Sequence, residues 1–298
     1  MICKLILALM LLVPATAFAE AEGTAMVQTH EEQIIDWRQR RDERLASDSG
    51  WMTLVGLEWL QEGENRVGTG PASTIKIPGG PAHWGTIHVF GDELRFVPAP
   101  DSDVTVNGAE ATEVMLVADN AGEPTLVSSG NLSFYVIFRE SYALRIKDTQ
   151  APALQEFTGV KTYDFQPDWR YNARFIPAED GQTIEIANVL GHLSPSPVYG
   201  IAEFDRDGVN YRLLALGDET SESLWFLFAD RTSGRETYGA GRFLYSDGMP
   251  ENGRLLVDFN KAYNPPCAFN EYSTCPLPPQ QNRLDLAVTA GEKNYHSR

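Results

Sequence analysis

Basic side chains and cysteines are what this sequence has little of. Lys and Arg number 24 against 41 Asp and Glu in 298 residues, a net charge of −17, and there are 3 Cys. A field of that sign repels phosphate backbones and anionic lipid surfaces, which argues against nucleic acid as a partner. An anionic ligand therefore requires a local basic pocket. After residue 19 no stretch is long and apolar enough to span a bilayer, so the mature chain is read as having no integral membrane segment. Also missing are the G-x-S-x-G elbow, H-E-x-x-H, the P-loop, and a G-x-G-x-x-G after a strand. No cofactor is implied.

The first nineteen residues read as a secretory leader. Lys4 supplies the positive end, Leu5 to Val13 are uncharged and apolar, and Ala17-Phe18-Ala19 precedes Glu20 as a small-x-small cleavage site. The destination expected is periplasmic or secreted. Cleavage removes Cys3 and leaves Cys267 and Cys275, an even pair in an oxidising compartment and hence a disulfide. Closing so short a loop contributes roughly 2–3 kcal/mol on chain entropy. As metal ligands, two thiolates with no nearby His make a poor zinc set, and no metal is expected.

Residues 29 to 47 carry the helical pattern. Thr29 followed by Glu32 fits a capping box, with acids early and Arg38, Arg40, Arg41 and Arg44 late, an order that suits the helix dipole. Ile34, Trp37, Arg41 and Leu45 form one stripe. The arginines suggest a membrane-surface helix. The interspersed acids favour a helix lying across a sheet.

Beyond Gly50 the period changes to two. Runs such as Trp84–Phe90 and Glu93–Val97, Asn131–Phe138 and Tyr142–Lys147, and Val198–Phe204 and Val209–Leu216 recur with turn dipeptides such as Gly91-Asp92 and Asp207-Gly208. The series ends with Arg242–Tyr245, Arg254–Phe259 and Leu284–Thr289. No helical pattern alternates with the strands. The fold class expected is mainly β, with antiparallel sandwich or barrel-like sheets and one N-terminal amphipathic helix. The divisions expected are a leader (1–19), the N-terminal helix (20–49), a β-sandwich part (50–150) and a C-terminal β part (151–298). In the last, five prolines in residues 263–282 force an irregular loop, clipped by the disulfide.

Two segments resemble a known family. One is Gly50-Trp51-Met52-Thr53-Leu54-Val55-Gly56-Leu57-Glu58-Trp59-Leu60. The other runs from Asp230-Arg231-Thr232-Ser233-Gly234 through Gly241-Arg242-Phe243-Leu244 and Asp258-Phe259-Asn260-Lys261-Ala262-Tyr263-Asn264-Pro265-Pro266-Cys267 to Asn282-Arg283-Leu284 and Ala290-Gly291-Glu292-Lys293. Together they are similar to the DUF1684 family, a group of unknown function that implies no reaction, substrate or cofactor. A fainter likeness, in Asn65-Arg66-Val67-Gly68, Thr74-Ile75-Lys76-Ile77 and Val104-Thr105-Val106-Asn107-Gly108, is to forkhead-associated (FHA) domains. That likeness implies a sandwich over 50–150. Thr69 and Pro81-Ala82-His83-Trp84 stand where those domains carry their phosphate-gripping Arg and Ser, which speaks against phosphopeptide binding.

The candidate ligand site is Asp230, Arg231, Thr232, Tyr238 and Arg242, with Asn264 and Arg283. These polar residues lie on loops that follow an apolar strand, and the arginines would supply the basic pocket for a small carboxylate or phosphate. A binding or structural protein of the cell envelope, with a small anionic molecule or an envelope component as partner, is the reading that follows. The alternative is an extracytoplasmic hydrolase centred on Asp230, Tyr238 and Arg242. Against both stands a structural role, in which Asp230 and Thr232 only satisfy a turn and Asp258, Asn260 and Asn264 only satisfy loop backbone. His192 and Ser194, on a proline-flanked loop, read as turn residues rather than a base and nucleophile, and His83 and His88 have odd spacing for a shared strand face, which argues against a joint metal site. Asp101-Ser102-Asp103 opens like a calcium loop but meets Val106 and Thr112 where Gly and Glu are required.

Overall fold

The computed structural model describes residues 28–100 and 102–295; the leader expected at 1–19 lies outside the described residues. The N-terminal helix spans His30–Leu45. Its first turn is closed by the expected capping box: Thr29 Oγ1 accepts from the Glu32 N–H and Glu32 Oε2 accepts from the Thr29 N–H. Ile34 and Leu45 are buried, and His30 and Arg41 pair with Asp258 and Glu292 of the C-terminal half of the chain.

Two five-stranded sheets follow, packed on one shared core. In one, Leu54–Trp59 lies beside Tyr142–Asp148, then Leu132–Phe138, Val127–Ser129 and Thr105–Val106. In the other the order is Ile75–Lys76, Gly63–Gly68, Gly85–Phe90, Glu93–Pro98 and Val114–Met115. Pairing is antiparallel except between Gly63–Gly68 and Ile75–Lys76. Val67, Trp84, Ile87 and Phe96 from the second sheet meet Phe134, Val136 and Leu144 from the first, all without exposed surface.

The alternation of the first sheet decides what its outer face carries. Leu132, Phe134 and Val136 point inward, as do Leu144 and Ile146 on the neighbouring strand. Successive side chains of a strand take opposite faces, so Ser133, Tyr135, Arg145 and Lys147 are turned outward. The register sets Lys147 directly opposite Ser133 and Arg145 opposite Tyr135; Ser133 in turn faces Ser128.

The C-terminal half is a seven-stranded antiparallel sheet. Its order is Arg242–Tyr245, Trp225–Phe228, Val209–Leu216, Leu193–Arg206, Arg170–Pro177 and Arg254–Asp258, with Thr183–Ala187 pairing on the first part of the long Leu193–Arg206 strand. One face buries Trp169, Phe204, Phe226, Phe228 and Phe259. The other buries Leu214, Leu227 and Phe243 beneath the loop carrying Cys275. Cys267 and Cys275 are joined, with Cα atoms 6.1 Å apart.

One expected strand is absent. Residues Leu284–Thr289 form no extended ladder: Leu284 N–H donates to Ala229 O and Leu286 O accepts from the Arg231 N–H, but beyond them side chains take over, Val288 O accepting from Arg242 and the Val288 N–H directed at Asp230. Gly291 ends the segment at φ 79°, and a Cβ there would lie 2.4 Å from Ala262 O.

Candidate functional site

The motif residues fall into three environments. Asp230 follows the strand Trp225–Phe228 and Arg242 opens the next, so the two side chains meet across the sheet at 2.9 Å, neither with any exposed surface. Arg242 Nη1 donates to Ala290 O and Glu292 O, and Nη2 to Val288 O as well as to Asp230. Asp230 Oδ1 accepts the Thr232 N–H and hydroxyl, and the Thr232 and Thr237 hydroxyls share a hydrogen bond of 2.8 Å. Each carboxylate oxygen is thus occupied, and the guanidinium gathers three carbonyls of the C-terminal segment. A buried pair supported in this way is a structural tie whose disruption leaves an uncompensated charge.

Asn264 belongs to an adjoining buried network. Its N–H donates to Glu292 Oε2, its amide nitrogen to Lys293 O, and its carbonyl accepts from Arg41 of the helix. Arg41 also pairs with Glu292 at 3.0 Å. Burial pushes the Glu292 carboxyl upward, against the opposing pull of Arg41 and the Asn264 N–H. At the first residue of the helix, His30 Nε2 lies 2.6 Å from Asp258 Oδ2, and the other Asp258 oxygen accepts from the backbone and side-chain nitrogens of Asn260.

The remaining motif residues do not join this knot. Arg231 is exposed and pairs with Asp285. Arg283 is exposed, and its backbone bridges Ala229. Tyr238 donates its hydroxyl to Cys267 O, and burial raises its pKa. The structure therefore brings together Asp230, Thr232 and Arg242, sets Asn264 beside them through Glu292, and leaves the other arginines on the surface. Among the described residues no group of three or more His, Cys, Asp or Glu side chains is disposed to hold a metal ion. Nor is any helix among them long and apolar enough to cross a membrane.

A different arrangement of cations lies on the outer face of the first sheet. Lys147 lines a groove of about 530 Å³ together with Pro124, Leu126, Ser128, Ser133 and Tyr135. Its ammonium donates to Ser49 O and sits 5.5 Å from the centre of the Tyr135 ring. Two residues along the strand, Arg145 is only 5% exposed, lies over the Trp51 ring and donates to the Tyr135 hydroxyl, while its Nε has no partner. Among the described residues no carboxylate ion-pairs with either cation; the nearby Asp119 is taken up by Arg139 at 2.8 Å. Burial, with Arg145 adding its repulsion, brings the Lys147 ammonium down from 10.5 to about 8. Sequence reading passed over this pair because it centred on loop motifs. The signal was Ala143-Leu144-Arg145-Ile146-Lys147, two cations at the outward positions of an otherwise apolar strand.

A second cleft, of about 490 Å³, lies in the C-terminal half between Phe175, Pro177, Tyr199 and Pro250. Glu179, Asp180, Asp218 and Glu219 line it, so its field opposes an anion.

Comparison with known proteins places the C-terminal half in a family. The family model described as a protein of unknown function (DUF1684) matches residues 155–293. The chain is also similar to an uncharacterized protein of Haloarcula marismortui whose solution NMR structure has been determined. Identity is 33%, over 47% of this chain and 78% of that one, with a TM-score of 0.40. No curated protein matches.

Proposed function

This chain belongs to the DUF1684 family, proteins of unknown function, and from that premise we propose that it is an exported binding protein holding a small anion in the groove at Lys147. The observation that carries the reading is the Arg145–Lys147 pair. Two like charges two residues apart on one strand face repel, and burying Arg145 and half-burying Lys147 without a counter-ion adds to the cost. In a chain with 41 acidic side chains, no carboxylate among the described residues is spent on either. A bound anion would supply the missing charge. Export is supported by the leader sequence and by the Cys267–Cys275 bridge, which suits an oxidising compartment.

In this reading the Asp230–Arg242 motif ties the C-terminal segment to the sheet, and the ligand meets Lys147. A hydrolytic centre at Asp230, Tyr238 and Arg242 has less support, since the Asp230 and Arg242 side chains reach no solvent. The test is a thermal-shift panel of acetate, octanoate, phosphate and sulfate at pH 7 on the mature protein and on Lys147→Met. At least one anion should stabilise the unmodified protein and lose its effect in the variant. A panel without effect, or an effect that survives Lys147→Met, would overturn the reading.

A further inference from the structure

The chemistry of the groove narrows the anion. It presents one ammonium, and the neighbouring guanidinium is covered by Trp51 and Tyr135. A single accessible point charge matches a single negative charge; a bidentate oxyanion site would offer an open arginine fork. Asp48, Glu123 and the Arg139-paired Asp119 also line the groove, and the charges of Asp48 and Glu123 oppose a dianion such as phosphate more strongly than a monoanion.

On the two strands next to that of Lys147 stand two uncommitted donors. The cross-strand register runs Ser128, Ser133, Lys147 over three adjacent strands, and among the described residues neither serine hydroxyl is bonded within the chain. A carboxylate is an acceptor with two oxygens, and a lysine flanked by hydroxyls supplies donors to both. The apolar part of the wall is Pro124, Leu126 and the Tyr135 ring. Leu126 is 40% exposed, a large aliphatic surface left open directly beside a polar row. The volume lies within the range of about 300–1,000 Å³ usual for small-molecule sites.

We propose that the groove binds an amphipathic monocarboxylate of the fatty-acid or aryl-acid type, its carboxylate at Lys147, Ser133 and Ser128 and its apolar body along Pro124, Leu126 and Tyr135. The inference rests on the anion-binding reading and names its ligand class. The groove lies outside residues 155–293, so it belongs to the part of the chain that the family model does not match.

Calorimetry on the mature protein at pH 7 tests it, with octanoate, octan-1-ol and inorganic phosphate as probes. Octanoate should bind at least tenfold more tightly than either octan-1-ol or phosphate. Lys147→Met should weaken octanoate at least tenfold, and Ser128→Ala with Ser133→Ala severalfold, with melting temperatures no lower than that of the unmodified protein showing that each variant is folded. Phosphate binding as tightly as octanoate would overturn the ligand class and leave the anion-binding reading standing. Octan-1-ol binding as tightly as octanoate would overturn both, as would no binding by any probe.

Discussion

Arg145 and Lys147 stand two residues apart on the same outward face of one strand, and neither meets a carboxylate among the described residues. That relationship contrasts with Asp230 and Arg242, which satisfy one another in the interior at 2.9 Å. One pair of charges is complete within the fold. The other is left open beside a groove.

Removing the open charge should relieve the folded state. The folded Lys147 titrates near 8 and the unfolded one near 10.5, so between those values the unfolded chain binds the extra proton. Stability tied to this group therefore rises with pH across that window, and the penalty is fully present below about 8. Lys147→Met keeps the stem and removes the charge. Its melting temperature at pH 7 should equal or exceed that of the unmodified protein, and the difference should fade as pH approaches 10.5. A clear loss of stability at pH 7 would make Lys147 a structural residue.

Ligand binding should weaken on the alkaline side. An anion needs the protonated ammonium, so affinity should hold below pH 8 and then fall by up to tenfold per unit above it. Arg145 and the Tyr135 ring lie against the ammonium, and the titratable acids lining the same groove are Asp48, Asp119 and Glu123. Calorimetric titrations from pH 6 to 10 measure this, and proton uptake at pH 8.5 should appear as a heat that varies with buffer ionisation enthalpy.

Arg242→Met and Asp230→Asn should each cost about 3–5 kcal/mol, since either leaves a buried partner uncompensated. The double variant should cost less than the sum of the two, because the lost interaction is counted twice when they are separate. Denaturant unfolding of the four proteins checks it. The sequence offered Arg242 as part of an open ligand pocket; in the structure its guanidinium is fully buried against Asp230 and three carbonyls.

Replacing Cys267 and Cys275 together by Ser should lower stability by roughly 2–3 kcal/mol for a loop of this separation. Octanoate affinity should be unchanged, because the bridged loop lines no part of the groove.

Much of the fold was legible because its signals are local. The capping box at Thr29 and Glu32 set the helix start, and period-two runs placed Tyr142–Asp148 and Val209–Leu216 to within a residue. Leu284–Thr289 was misread for a physical reason: its apolar alternation is real and its start pairs with the backbone of Ala229 and Arg231, but at Val288 bonds from Arg242 and Asp230 end the pairing before a ladder forms. The polar motif was visible as a motif, yet whether its charges pair with one another or await a ligand is decided by burial, which spacing does not encode. The groove was hidden for the opposite reason. Lys147, Ser133 and Ser128 are brought into line only by strand register.

The most direct test is an NMR titration of the Lys147 side chain in the free protein and with saturating octanoate. The account predicts a free pKa near 8 that moves up when octanoate binds. A Lys147 that titrates at the usual 10.5, or whose titration is the same with and without octanoate, would contradict it.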